Sequence, residues 1–289
     1  VEKFQHALPA HSGVEGTDLP DSELIVLILP ALGTPTRLYQ RLYEGLLQAG
    51  FSAAIMSLRG DGSLGKVQLV SEGNFGYVEV LKDIDAIIAF INHKYPDKDI
   101  VTMGHSFGGQ LGCLYACHKT PRVLASVVIA GGNVDYRSWT GVERLKTFWA
   151  TQFFGMVSRL LGWFPGKWIG FGGNQPRNLM VDWSRNARTG VYRLINQTID
   201  YEGVSKVVSS FFLGVVIPND FFAPYASTKS LLDKFSSSDR EMICISQSCF
   251  KTVVPDHFSW LKEPGPAIDA FVSWVGDKGL GQMNAGPGK

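Results

Sequence analysis

Leu24–Leu29 reads Leu-Ile-Val-Leu-Ile-Leu and stops at Pro30. A run of this length with no polar position leaves no face for water. It suits a strand buried on both sides of a parallel sheet. Every later segment must then supply the helices that cover such a sheet. Residues 36–49 place Leu38, Leu42, Leu46 and Leu47 on one helical face, with Gly50 as the stop. Residues 51–58 return as a strand. After a polar, glycine-rich loop at 59–75, Tyr77, Val80, Leu81, Ile84, Ile87, Ile88 and Ile91 recur at helical spacing, ending before Pro96. A strand at 99–103, a helix at 107–118 and a strand at 124–130 follow. Strict alternation of this kind predicts a mostly parallel sheet with helices on both faces.

The rhythm breaks at 135–205, where no strand pattern is visible. This stretch holds five of the seven tryptophans, Trp139, Trp149, Trp163, Trp168 and Trp183, with Phe148, Phe153, Phe154, Phe164 and Phe171 beside them. It predicts a helical insertion. The sheet resumes at 211–217, followed by a helix at 225–235, a strand at 241–246 and a helix at 266–275. The organisation expected is a core of 1–134 and 206–289 split by an insertion of 135–205. Residues 1–23 offer one or two edge strands that cannot be placed, and the tail after Gly276 is expected to fray.

Gly104-His105-Ser106-Phe107-Gly108, with Gly109 next, joins the strand at 99–103 to the helix at 107–118. A serine in a Gly-x-Ser-x-Gly turn between strand and helix is the setting of a nucleophile elbow. Small neighbours let the turn close, and the hydroxyl stands at the carboxyl edge of the sheet, where open α/β sheets bind ligands. A serine hydroxyl needs a general base. Among six histidines, His6 and His11 lie in the irregular N-terminus, and His93 and His118 are expected to be exposed near helix ends. His105 is inside the elbow, poorly placed to reach the Ser106 hydroxyl. His257, in the loop between the last strand and the last helix, is the expected base.

These residues in this order resemble the α/β-hydrolase superfamily, and the resemblance runs from Leu24 to Val275. It implies a serine hydrolase with a triad acid at the end of a strand between Ser106 and His257. Asp220, in Asn219-Asp220-Phe221-Phe222-Ala223-Pro224, is the expected acid; Asp135 is the rival, and Asp256 reads better as a loop cap. The resemblance also implies an oxyanion hole from the backbone N–H groups of Phe107 and Leu32, although Pro30-Ala31 replaces the His-Gly common in relatives. Ser57 likewise replaces an aspartate common before the Arg59-Gly60-Asp61-Gly62 turn, so Arg59 and Asp61 are read as loop organisers. The insertion falls where the superfamily carries its lid, and 161–167 resembles a branch of little-characterised bacterial hydrolases.

The expected activity is hydrolysis of carboxylic esters with an apolar acyl or aryl group. Thioester cleavage and acyl transfer follow the same route, and a non-catalytic hydrolase-like binding protein is the reading from another class. The expected partner is a small-molecule ester or thioester. No cofactor or metal is expected: Cys113, Cys117, Cys244 and Cys249 lack zinc-like spacing, and the first pair reads as buried small hydrophobes one helical turn apart. A net charge of +1 gives no field for nucleic acid. The insertion's aromatics can pack the lid, line a pocket or touch a membrane. Residues 148–171, flanking Arg159 and Lys167, lack a clean amphipathic moment, so membrane contact is not the expectation. Without a visible signal segment or a bilayer-length apolar run, the expected location is cytoplasmic.

Overall fold

A computed structural model describes residues 1–8, 12–59, 74–118 and 123–281. An eight-stranded sheet runs through it in the order β1 (Glu2–Ala7), β2 (Gly13–Asp18), β4 (Ser52–Ser57), β3 (Leu24–Leu29), β5 (Asp99–His105), β6 (Val123–Ile129), β9 (Phe211–Val216) and β10 (Asp239–Cys244). From β4 to β10 every pairing is parallel, whereas β2 is antiparallel to both β1 and β4. All six residues of β3 are at most 2% exposed, which is the two-sided burial its composition requires.

Two apolar clusters sandwich the sheet. Ile25, Leu27 and Leu29 face α2 (Tyr77–Lys94) and α3 (Phe107–Ala116); Leu24, Val26 and Ile28 face α1 (Gln40–Gln48) and α7 (Gly265–Lys278). This is the α/β-hydrolase architecture, a mostly parallel sheet covered on both faces.

Several boundaries differ from the sequence reading. Residues 1–23 form the β1–β2 hairpin, with Phe4 opposite Gly16; the glycine leaves room for the ring, because a Cβ there would stand 2.4 Å from Phe4 Cζ. The helix expected at 36–49 opens with a 3₁₀ turn at Thr36–Tyr39. Three residues per turn instead of 3.6 shifts the phase, so Tyr39 is buried and Leu38 is 49% exposed. Helix α7 runs to Lys278 and Leu280 is buried, so the chain is packed past Gly276; residues 282–289 lie outside the described residues.

Between β6 and β9 stand two long helices, α4 (Gly141–Leu161) and α5 (Arg177–Thr189), packed on each other. The stretch is not purely helical. Trp163–Pro165 (β7) and Asn174–Pro176 (β8) pair antiparallel, each too short to show alternation in the sequence. Helix α6 (Tyr225–Leu232) leads from β9 to β10. Among the described residues no helix is long and apolar enough to cross a membrane.

Candidate active site

Ser106 caps α3 directly after β5 and has φ 54°, ψ −113°. Such a conformation is costly for a residue with a Cβ. Its surroundings enforce it. The Ser106 N–H donates to Ile129 O (3.1 Å), extending the β5–β6 pairing, and Ser106 O accepts from Gly109 N (3.0 Å). The elbow closes because a Cβ on Gly104 would stand 2.2 Å from Gly108 C, and one on Gly108 2.0 Å from Leu29 O. Only glycine permits these approaches.

His257 arrives from the loop between β10 and α7. Its Nε2 stands 3.0 Å from Ser106 Oγ. Its Nδ1 stands 2.8 and 3.0 Å from the two Asp220 carboxylate oxygens. Asp220 follows β9 after Asn219, which holds a left-handed turn (φ 59°) and donates through Nδ2 to Pro255 O in the histidine loop (3.4 Å). Asp220 Oδ1 also accepts the Phe222 and Ala223 N–H groups (2.8 and 3.0 Å). With Asp220 ionised, Nδ1 carries the imidazole proton and Nε2 is free to accept from the Ser106 hydroxyl.

The other carboxylates are engaged elsewhere. Asp135 accepts from the Arg137 N–H and Nε (3.0 and 2.8 Å), and Arg137 donates on to Thr189 O. Asp256 Oδ1 caps the Ser259 and Phe258 N–H groups (2.7 and 2.9 Å). Burial pushes the Asp256 carboxyl up, but those hydrogen bonds outweigh it and its pKa is lowered. Arg59 Nε donates to Asp83 (2.7 Å), a loop–helix tie; Asp61 lies outside the described residues. His118, read as exposed, is partly buried against Tyr201 Oη (2.7 Å), and His11 lies outside the described residues.

A relay that the sequence reading missed joins the site's loops. His105 is fully buried, and its Nε2 stands 2.8 Å from His257 O. A carbonyl only accepts, so Nε2 carries the proton and Nδ1 is bare. Tyr39 Oη, 2.8 Å away, must donate to that nitrogen, and itself accepts the Ala31 N–H (2.7 Å). Burial, reinforced by His257, pushes the His105 pKa well down, so the ring stays neutral. Trp260 Nε1 adds a second donor to His257 O (3.2 Å). Because Ala31's N–H is spent on Tyr39, the next N–H on that loop belongs to Leu32. Leu32 and Phe107 both line the cavity that contains Ser106. Gly33, with φ +66°, packs where a Cβ would stand 2.0 Å from Gly172 O, so the insertion rests directly on this loop.

That cavity is about 170 Å³, walled by Val134, Phe171, Trp183, Phe222 and Phe258 around Ser106 and His257. A second cavity of about 150 Å³ shares the walls Val134, Phe171, Trp183 and Phe222 and extends beneath α4 to Ala150 and Phe154. Of the insertion's aromatics, Phe154, Phe171 and Trp183 thus both pack the core and line space. Cys113 and Cys117 are buried and Cys244 and Cys249 exposed, all four as free thiols.

The family model for serine aminopeptidases of type S33 matches residues 20–189, more than half the chain. The chain belongs to this family. It is a hydrolytic enzyme of the α/β-hydrolase fold. No curated protein matches it. Among solved structures, this hydrolase is similar to a metagenome-derived lipolytic enzyme (LipS or LipT), with TM-score 0.60 and 16% identity, over 93% of this chain and 99% of that one. It is similar to a monoacylglycerol lipase of Paleococcus ferrophilus, with TM-score 0.58 and 16% identity over 95% and 98%. It is also similar to the thioesterase domain of the curacin biosynthetic pathway, with TM-score 0.55 and 13% identity over 94% and 99%. At these identities the likeness is one of fold.

Proposed function

We propose that this hydrolase cleaves carboxylic esters through an acyl-enzyme, on substrates with an apolar acyl or aryl group. One observation carries the reading: Ser106 Oγ, His257 Nε2 and the Asp220 carboxylate stand in line, 3.0 and 2.8 Å apart, at an apolar cavity. Ser106 Oγ attacks the ester carbonyl while His257 Nε2 takes its proton. Asp220 holds the ring's tautomer and stabilises the imidazolium. The N–H groups of Leu32 and Phe107 receive the tetrahedral oxyanion, each such donor lowering the barrier by roughly 3 kcal/mol. His257 then protonates the departing alcohol. Water repeats the sequence on the acyl-enzyme and releases the acid.

The family description names an aminopeptidase. Recognition of a free α-amino group calls for a carboxylate at the mouth, and no acidic side chain is among the described residues lining either cavity. Apolar walls favour an acyl or aryl group. Thioesters react by the same steps, and an alcohol or amine replacing water would make the protein an acyltransferase; adding such acceptors and identifying the products separates these. A fluorophosphonate probe tests the core of the reading. It is expected to label the wild type and not Ser106→Ala. Absence of labelling on the folded wild type would overturn the nucleophile and leave a binding protein.

A further inference from the structure

Helix α4 carries large apolar side chains toward solvent as well as toward the core, unlike a helix with a single apolar stripe. Its closest approach to α5 is through small residues: Thr151, Gly155 and Ser158 are buried, and a Cβ on Gly155 would stand 2.3 Å from Ser184 Oγ, while Phe154 and Val157 beside them pack on the core. Its outer face is a row of Val142, Leu145, Trp149, Phe153, Met156 and Leu160, spaced three or four residues apart and each 47–76% exposed. Scattered apolar residues on a surface are ordinary; a continuous row of large ones marks a contact. The row is prolonged beyond the helix. Trp168 is 79% exposed and Ile169 56%, and they directly precede Gly170 and Phe171 at the mouth of the Ser106 cavity.

The charge around the row identifies what covers it. Residues 141–170 carry Arg144, Lys146, Arg159 and Lys167 against Glu143, which pairs with Lys146 at 2.7 Å, so the stretch has an excess of three positive charges in a chain whose total is +1. At 3.6 residues per turn, Lys146 falls on one side of the row and Arg159 on the other. A second copy of the chain, docked through the same face, would bring these cations together. An anionic lipid surface complements both features. The apolar row enters the acyl boundary, Trp149 and Trp168 sit at headgroup depth, and the ammonium and guanidinium groups reach lipid phosphates.

We propose that the outer face of α4, with the Trp168–Ile169 turn, docks the protein on an anionic lipid surface. Ala150 and Phe154, on the flank of α4 that turns from the row toward the core, line the second cavity. Docking by the row would therefore set that apolar cavity beside the lipid surface, where an acyl chain can be taken up. That last step rests on the reading of Ser106 as nucleophile; the docking does not.

Flotation of the full chain with vesicles tests it. Wild type is expected to float with phosphatidylcholine–phosphatidylglycerol vesicles, less with phosphatidylcholine alone, and less again as salt rises. Leu145→Ser/Trp149→Ser is expected to lower partitioning by about tenfold or more, and Lys146→Glu/Arg159→Glu to abolish the preference for phosphatidylglycerol. Both are surface changes, so melting temperature and the rate on soluble p-nitrophenyl acetate stay at wild-type values. Ser106→Ala floats like wild type, which separates failure of the docking from failure of the ester-hydrolase reading. The proposal is overturned if folded wild type floats with no vesicle, if the double serine variant floats undiminished, or if the row holds a dimer that this variant splits while neither protein binds lipid.

Discussion

Tyr39 and His105 show how much a single buried hydrogen bond can decide at this site. Tyr39 Oη answers the Ala31 N–H next to Leu32 and supplies His105 Nδ1, whose other nitrogen holds the His257 carbonyl. Tyr39→Phe removes the one atom serving both and leaves a buried donor and a buried acceptor without partners. The expected cost is about 1–3 kcal/mol of stability, measured by urea unfolding. A fall in kcat of about tenfold with little change in KM is expected alongside, because geometry and not substrate contact is lost. Asp220→Asn keeps the shape but offers His257 the wrong tautomer. Its kcat is expected to fall about 10⁴-fold, and a value within tenfold of wild type would show that another group orients the imidazole. The relay was not legible in the sequence. Its signal was a tyrosine in a segment whose apolar spacing pointed Leu38 inward; the 3₁₀ turn exchanged the two.

Loops and helices set the next level. The Leu32 loop meets the insertion at Gly33, where positive φ and the Gly172 carbonyl both exclude a side chain. Gly33→Ala is expected to shift the Leu32 N–H and lower kcat more than it lowers stability, as read from kinetics beside thermal melts. On α5, Asp182 is buried and accepts the Ile195 N–H with both oxygens (3.1 Å each), with Arg185 at 3.3 Å. Burial pushes its pKa up to about 6, against the hydrogen bonds from Ile195 and the charge of Arg185. The folded state therefore holds this proton where the unfolded chain has lost it. Stability from this group is fully present below the unfolded value near 4 and is lost as pH rises through about 6. The stability of wild type relative to Asp182→Asn is expected to fall by on the order of 2–3 kcal/mol over that window. A difference independent of pH would mean that Asp182 ionises normally.

At the scale of the whole molecule, the cavity at Ser106 and a second one share four wall residues. The Ser106 cavity and the one under α4 are about 170 and 150 Å³, too small for a bulky substrate in either alone. Rates over p-nitrophenyl esters of graded chain length are expected to peak at a medium chain that fills both. Ala150→Trp, which fills the second cavity, is expected to move the peak to shorter chains. Flat rates across the series would remove the apolar path from the account.

Strand and helix order was legible because each element carries its own signature. β3 is apolar at every position, α2 repeats at helical spacing, and Pro30, Gly50 and Pro96 mark the stops. Ser106 was legible because its glycine-flanked turn joins a strand to a helix, and His257 and Asp220 were nominated because they stand in the loops where the resemblance implies a base and an acid. The sequence by itself determined the architecture and nominated the residues that would meet. Tertiary structure decided what depends on a neighbour's position: the β1–β2 hairpin at the sheet edge, the turn that buries Tyr39, and the choice of Asp220 over Asp135 beside His257. It also decided which side of α4 faces out. A helix's apolar pattern gives its faces but not their direction, and here Gly155 holds the closest point of approach because Ser184 on α5 leaves no room for a side chain there.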